Sequence, residues 1–436
     1  MVFRPPKEDE ATSWLWVALW ILCIYITVPL ARTIQGWVAD HADPMLFFWV
    51  VIAWVVVGGL VAVRNLIRLE VHPTPAAWCV LAAVAASYAW FSWQLRENPE
   101  EAFHFIQYGV LSLLVFRALT HRFRDPSIFV IAALFTTLFG MLDEGFQWVV
   151  PGRFFDFRDM GINAGAGVLM QVALAFGVRP AYIHQTLIPR AWQIACRCAI
   201  AVLILLLGYL SNTARNKVFL SNYIQGLPAI DEVMVEYGYR IDRPDLGLTF
   251  YSRLPFEEVV EQDRTRWEEV VPDLNVHWKE DQYIPYLKKY PSFQDPFLHE
   301  LRIHQFRRDR YRFYAFSAPH LSDERRDNAT VSVREDQIMR LLYPNIYAHA
   351  LLGWPDQELE HMTSLADLSE PYVSKVSSGI ITAFRPWSLR WVIIGLMVVV
   401  IVTERILSTQ AQKRQDTVGN HGSLSKSFPH ENLPHC

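Results

Sequence analysis

The stretch LDEGFQ at residues 142–147, followed by PGR at 151–153, is a polar interruption in a largely apolar sequence. An apolar run leads into it from Ile128 to Met141, and another leaves it from Gly161 to Val178. Ionised side chains at the point where a membrane helix meets the lipid headgroups are costly unless they are paired or hydrated. The stretch therefore indicates a functional site at the end of a membrane helix.

The rest of the composition supports a membrane protein. Of 436 residues, 52% are hydrophobic and only 19% are charged, a balance far from that of an average soluble domain. A helix that crosses a bilayer needs about 20 mostly apolar residues. Eight runs meet this criterion, near Trp14–Leu30, Met45–Val63, Ala76–Trp93, Phe103–Leu119, Ile128–Leu142, Gly161–Val178, Ala191–Leu210 and Trp387–Leu407. The sequence thus predicts an all-α polytopic membrane protein with eight transmembrane helices.

The spacing of these runs predicts the domain organisation. A charged leader, 1–12, precedes a seven-helix membrane domain, 13–210. Residues 211–386 form a soluble domain that is long enough for its own core, and amphipathic patterns predict that it is mainly helical. The last transmembrane helix is 387–407, and the polar tail, 408–436, is predicted to be disordered.

The arginine and lysine residues of the short loops predict the orientation, because cytoplasmic loops are richer in them. Counting from a cytoplasmic N-terminus, the inside segments contain Arg4, Lys7, Arg64, Arg68, Arg122, Arg124, Arg179, Arg190, Lys413, Arg414 and Lys426. The outside loops contain Arg32, Arg96, Arg153 and Arg158. We therefore expect both termini to be cytoplasmic, with the polar stretch and residues 211–386 on the outer face.

Polar side chains from three helices are expected to meet at the polar stretch. His104 and Tyr108 are four residues apart near the start of the fourth span, so they share a helix face. Asp143 and Gln147 have the same relation at the outer end of the fifth span, next to Glu144.

The loop after the fifth span and the start of the sixth add further polar residues. Arg153 lies in the loop, and Asn163 lies one turn beyond Asp159, which with Asp156 is a candidate N-cap. The glycines at 161 and 165 form a GxxxG pattern, which predicts close packing of this helix on a neighbour.

These side chains allow three kinds of function. Arg153 could form a bidentate ion pair with Asp143, Glu144 or Asp159 and act as a structural clamp. The carboxylates could instead act as a general acid or base. As a third use, Arg153 with Arg158 could hold a lipid phosphate at headgroup depth.

The linked pattern resembles the VanZ-like membrane family, over about residues 95–178. It consists of His104 with Tyr108, Asp143-Glu144-x-x-Gln147, Pro151-Gly152-Arg153 and Asp159-x-x-x-Asn163-x-Gly165-x-Gly167. The resemblance implies a helical membrane domain in the bacterial cell envelope, with a link to teicoplanin and other glycopeptide antibiotics or to cell-wall metabolism. It also implies the bacterial inner membrane as the location.

The first functional hypothesis is an outer-face pocket that binds or processes a lipid-linked saccharide or peptide. In an enzymatic version Glu144, Asp143, His104 and Asp159 are the catalytic candidates, with Glu144 as general acid or base and His104 as proton relay. The substrate-binding candidates are Arg153, Gln147, Asn163 and Tyr108, with Arg153 as the anion holder. The sequence does not indicate a metal or another cofactor.

Two alternatives from other classes stay open. One is a non-catalytic scaffold whose ion-paired cluster locks the helices while residues 211–386 bind an envelope protein. The other is a polysaccharide polymerase or ligase, since such enzymes also combine many spans with a large outer loop. Membrane lipids are an expected partner. The segment 302–314 is basic and aromatic, which is typical of a helix that faces lipid headgroups or of a solvated helix. Nucleic acid is not an expected partner, since acids slightly exceed bases in 211–386.

Overall fold

The computed structural model describes residues 5–424, except 44, 69–73, 97, 152, 228–229, 231 and 321. The chain divides into two compact units. One comprises residues 1–207 and 392–436, and the other comprises residues 208–391. We call them the membrane unit and the second unit.

Eight helices in the described part of the chain are long and apolar enough to cross a membrane. They are α1 (Glu10–His41), α2 (Leu46–Arg68), α3 (Pro75–Gln94), α4 (Phe103–Leu119), α5 (Ser127–Val149), α6 (Phe157–Val172), α7 (Pro189–Ser211) and the later α15 (Pro386–Leu424). A 3₁₀ turn, Pro99–Ala102, precedes α4, and a π-helical segment, Ala173–Val178, prolongs α6. The prediction of an all-α polytopic membrane protein with eight spans is confirmed.

Helices α4, α5 and α6 form the centre of the membrane unit. Tyr108, Leu111 and Val115 of α4 are completely buried, as are Ile128 and Ala132 of α5. The outer helices instead expose large apolar side chains, such as those of Trp16, Leu60 and Val399, on surfaces suited to lipid. In a bilayer such surfaces carry no penalty, so the buried face is set by packing and polar contacts.

Close packing between α5 and α6 depends on glycines other than the predicted pair. A Cβ atom on Gly167 would lie 2.7 Å from Thr136 Cγ2, and one on Gly140 would lie 2.7 Å from Asn163 Cβ. Neither Gly161 nor Gly165 has a described neighbour within 4 Å of such an atom. The expected close packing exists, but the GxxxG pair does not make it. Residues 163 and 167 lie on the α5-facing side of α6, and residues 161 and 165 lie on another side.

The two ends of the polar stretch are defined by backbone geometry. Helix α5 runs to Val149, so Asp143, Glu144 and Gln147 lie within its last turns. Asp156 is the N-cap of α6, and its Oδ1 accepts from the backbone N–H of Arg158 at 2.7 Å. Of the two candidate N-caps, the structure selects Asp156, which leaves the Asp159 carboxylate available for other contacts.

The second unit is mainly helical, as predicted, and also contains a small sheet. Its helices are α8 (Ala214–Ser221), α9 (Phe256–His277), α10 (Tyr283–Lys289), α11 (Pro296–Ser317), α12 (Asp323–Leu342), α13 (Pro344–His349) and α14 (Asp356–Leu365). Its strands are β1 (Tyr239–Arg243), β2 (Leu248–Ser252) and β3 (Tyr372–Val373). β2 pairs antiparallel with β1 and parallel with β3. The core lies between the sheet and helices α9, α11 and α12.

The last helix is longer than the sequence predicted. We expected a disordered tail from residue 408, but α15 continues through Leu424. Residues 410–415, QAQKRQ, are all good helix formers, and residues 408–424 contain no proline. The rest of the predicted tail, 425–436, lies outside the described residues, as do residues 1–4 of the leader and Gly152 of the PGR motif.

Candidate functional site

Eight polar side chains meet where α4 begins, α5 ends and α6 begins. We call them the polar cluster; its members are His104, Tyr108, Asp143, Glu144, Gln147, Arg153, Asp159 and Asn163. These are the eight residues singled out in the sequence. The structure brings them together, and their individual roles stay predictions.

Asp143 ties α4 to α5. Its Oδ2 accepts from the hydroxyl of Tyr108 at 2.9 Å and from Nε2 of Gln147 at 3.4 Å. The same Gln147 amide donates to Oε1 of Glu144 at 3.0 Å. All four residues are almost completely buried. One glutamine amide thus lies between two buried carboxylates and holds them in fixed positions.

Arg153 contacts the cluster through an amide. Its Nη2 donates to Oε1 of Gln147 at 2.5 Å, and its backbone N–H closes a turn onto Val150 at 3.1 Å. Within the described residues, no carboxylate oxygen lies within 4 Å of its guanidinium, so the bidentate clamp considered above is not formed. Gln147 lies between Arg153 and the carboxylates. Its Nε2 donates to Asp143 and Glu144, and its Oε1 accepts from Arg153. The guanidinium still interacts over a longer distance with Asp143 and Asp159.

His104 and Asn163 close the cluster from α4 and α6. The imidazole is partly buried, with its Nδ1 atom shielded from solvent, and it interacts with the side chain of Asn163 and, electrostatically, with Asp143 and Arg153. Its ring is nearly parallel to that of Tyr108, with centroids 6.1 Å apart. Asn163 is completely buried, and its Nδ2 makes a long, weak contact of 3.5 Å with the carbonyl of Gly140. The close approach at Gly140 is what allows this asparagine to reach the cluster.

Several atoms of the cluster have no hydrogen-bond partner among the described residues. These buried atoms are His104 Nδ1, Asp143 Oδ1, Arg153 Nε, Asp159 Oδ1 and Asn163 Oδ1. Most buried polar atoms in folded proteins do have a partner, and each one left without costs about 1–3 kcal/mol. A set of donors and acceptors with unused capacity is what a binding site for a polar molecule requires.

The rim of the cluster contains an ion pair that the sequence did not predict. Arg158 pairs with Glu101, and its Nε also lies 3.8 Å from Asp156 and 3.9 Å from Asp159. Glu101 stands three residues before His104, a spacing that could have identified it as a neighbour of the cluster. Because Arg158 is paired here, Arg153 is the better candidate for an external anion.

The chemistry of the cluster suits a hydroxyl-rich or amide-rich ligand with an anionic part. Carboxylate and amide oxygens can accept from ligand hydroxyls, and the imidazole and guanidinium can contact ligand oxygens. Glu144 Oε2 is reached by one long contact, 3.4 Å from the backbone N–H of Asp156. In the described part of the chain, no group of three or more His, Cys, Asp or Glu side chains is arranged to hold a metal ion.

Comparison with known proteins identifies one family. Residues 15–179 are similar to the family described as VanZ/LLP1. The matched segment covers the first six spans, so it extends further towards the N-terminus than the resemblance read from the motifs. It contains the whole polar cluster. No curated protein and no solved structure matches the chain.

Proposed function

Residues 15–179 of this multi-pass membrane protein belong to the VanZ/LLP1 family, and we propose that their polar cluster binds a lipid-linked saccharide or peptide of the bacterial envelope. The observation that carries the proposal is the set of five buried polar atoms without partners. They come from α4, α5, α6 and the loop between α5 and α6, so no single helix end or turn accounts for them. A polar ligand would satisfy them together.

The proposed roles follow from position. Arg153, at the loop end of the cluster, holds the phosphate or carboxylate of the ligand. Gln147, Asn163 and Tyr108 contact its hydroxyl and amide groups. In an enzymatic version Glu144 is the general acid or base and His104 relays the proton, with Asp143 and Asp159 as supporting carboxylates.

We place this function in the bacterial inner membrane, with both termini cytoplasmic and with the polar cluster and residues 211–386 on the outer face. This orientation rests on the arginines and lysines of the short loops. An extracytoplasmic site could reach envelope precursors, and we therefore propose susceptibility to teicoplanin as one phenotype to measure.

The test uses Glu144→Gln and Arg153→Lys, which keep the shape or the charge of the side chain. We expect both variants to insert normally and to lose the envelope phenotype. We also expect Arg153→Lys to lose most of the bound lipid that mass spectrometry detects in the purified parent. The matched controls are Glu10→Gln and Arg122→Lys, since these residues form an ion pair at the opposite ends of the spans. If Glu144→Gln and Arg153→Lys both behave like the parent, the proposal is wrong.

A scaffold function is the second candidate, because the bonds among Tyr108, Asp143 and Gln147 join α4 to α5. In that case the cluster stabilises the helices and residues 211–386 bind the envelope partner. The same variants separate the two candidates. Loss of inserted protein in both Glu144→Gln and Arg153→Lys, with the controls unaffected, would favour the scaffold.

A further inference from the structure

The second unit contains a cleft that the proposed function does not use. It has a volume of about 210 Å³, smaller than that of most drug-sized pockets. One face of α11 forms one wall, and the segment after β3 forms the other. We call it the α11 cleft; the residues that matter for the argument are Phe306, Arg307, Arg310, Tyr311 and Lys375.

The lining of the α11 cleft is cationic. Arg307, Arg310 and Lys375 all line it, and none of its lining residues is acidic. Glu335 beneath the cleft offsets one of these charges, because its Oε1 accepts from Arg307 Nε at 3.1 Å. Among the described residues, no carboxylate lies within 4 Å of Arg310 or Lys375. Glu280 interacts with Arg310 only at longer range, so three cationic side chains face two carboxylates and the cleft keeps a positive excess.

The two guanidinium groups are held in place by aromatic rings. Arg307 lies over Tyr311, with its Cζ 4.5 Å from the ring centroid, and Arg310 lies over Phe306 at 5.4 Å. Arg310 Nε also donates to the hydroxyl of Tyr314 at 2.6 Å. Such contacts orient a guanidinium before a ligand arrives, which lowers the entropy that binding costs.

We propose that the α11 cleft binds the phosphate or diphosphate group of a small molecule or of a lipid headgroup. Two planar guanidinium groups and one ammonium match the geometry and charge of phosphate oxygens. The size of the cleft fits such a group with part of an attached ring or chain, and the side chains of Ile303 and Val376 offer apolar surface to that part. The site is independent of the polar cluster in the membrane unit.

The experiment measures binding of inorganic pyrophosphate to the full chain in phosphatidylcholine nanodiscs by isothermal titration calorimetry. The test variant carries Arg310→Gln and Lys375→Gln, two exposed side chains whose loss leaves the Arg307–Glu335 contact intact. The control carries Arg264→Gln and Lys288→Gln, an equal change of charge at exposed positions elsewhere in the second unit. We expect the test variant to bind about tenfold more weakly than the parent and the control to bind as the parent does.

A second arm identifies the source of the phosphate. The same titration of the parent is made in nanodiscs that contain phosphatidylglycerol, at about 0.15 M salt to screen general repulsion. Weaker pyrophosphate binding there supports a headgroup as the natural occupant, and unchanged binding supports a soluble phosphate. The proposal is overturned if the parent does not bind pyrophosphate in phosphatidylcholine nanodiscs, or if the test variant binds as tightly as the control.

Discussion

Both units bury carboxylates, but the second unit satisfies every oxygen of its most buried acids and the membrane unit does not. Glu335, completely buried between α11 and α12, accepts from His304 at 2.7 Å and from Arg307 at 3.1 Å. The hydroxyls of Tyr372 and Ser374 donate to it at 2.7 Å each. Such saturation is characteristic of a structural charge, because no capacity is left for a ligand.

The other buried acids of the second unit follow the same rule. Glu300 accepts from Ser252 at one oxygen and from Arg253 and Ser377 at the other. Both oxygens of Asp263 accept, one from Asn345 and the other from the backbone N–H of Ile346. These acids join the sheet and the helices of the unit to one another.

In the membrane unit, Asp143 and Asp159 each have one buried oxygen without a partner. Burial of a charged side chain therefore does not distinguish a binding site from a structural network in this protein. What differs between the two units is narrower: buried carboxylate oxygens without a partner occur among the described residues of the membrane unit and not of the second unit. Of the three substitutions that follow in order of decreasing effect, Glu335→Gln and Asp143→Asn test this distinction, and Gly167→Ala tests the helix packing beneath the polar cluster.

The largest effect is expected for Glu335→Gln. The amide removes the anion that faces Arg307 and His304, and breaking a buried pair of this kind costs about 3–5 kcal/mol. We expect the amides of α11 and α12 to exchange with solvent deuterium at least about a hundredfold faster. Glu261→Gln is the control, since its ion pair with Arg264 is exposed. Equal exchange in the two variants would contradict a structural role for Glu335.

The same acid predicts a pH dependence. Burial raises the pKa of Glu335, but the hydrogen bonds from His304, Tyr372 and Ser374 outweigh it and hold that pKa below its ordinary value of 4.5. Its contribution to stability is thus present above pH 4.5 and is lost as the pH falls through the lower folded-state pKa. Protection factors of the α11 and α12 amides, in which the slower intrinsic exchange in acid is divided out, should fall from about pH 6 to about pH 3 in the parent and much less in Glu335→Gln.

An intermediate effect is expected for Gly167→Ala. The new methyl group would lie 2.7 Å from Thr136, and overpacking of this kind costs about 1–3 kcal/mol. Gly165→Ala, two residues away with no described neighbour in reach, should leave stability unchanged or raise it by about 0.5–1 kcal/mol, as Ala for Gly does within a helix. Thermal unfolding in detergent measures both. Equal melting temperatures would show that α5 and α6 do not depend on this contact.

The smallest effect on stability is expected for Asp143→Asn. The amide keeps an acceptor for the hydroxyl of Tyr108. It removes a buried carboxylate that has no cationic side chain within 4 Å among the described residues. The free energy of unfolding should therefore change by less than about 1 kcal/mol. Envelope function should nevertheless fall. Thermal unfolding and the teicoplanin assay, made on the same preparation, check the two expectations. A loss of stability as large as that of Glu335→Gln would remove the distinction between the two units.

The helices and the polar cluster were predictable because they depend on local signals. Apolar length identified all eight spans, and spacings of four residues placed His104 with Tyr108 and Asp143 with Gln147. Contacts between distant segments were not predictable in the same way. The sequence suggested a carboxylate as the partner of Arg153, but the partner is the side-chain oxygen of Gln147. The amide nitrogen of Gln147 meanwhile donates to Asp143 and Glu144. The pairing of β3 with β2 depends on a two-residue strand far along the chain, which has no periodicity of its own.

Two hydrogen bonds outside the polar cluster determine how α6 presents Asn163 to it. Ser112 donates to the carbonyl of Gly167 at 3.0 Å, and Tyr88 donates to that of Ala166 at 2.8 Å. These contacts fix the rotation of α6 about its own axis, and one residue of rotation, about 100°, would turn Asn163 away from α4 and α5. The orientation of Asn163 is therefore set half-way along α4, and we expect loss of the hydroxyl of Ser112 or Tyr88 to displace Asn163 without changing any residue of the polar cluster itself.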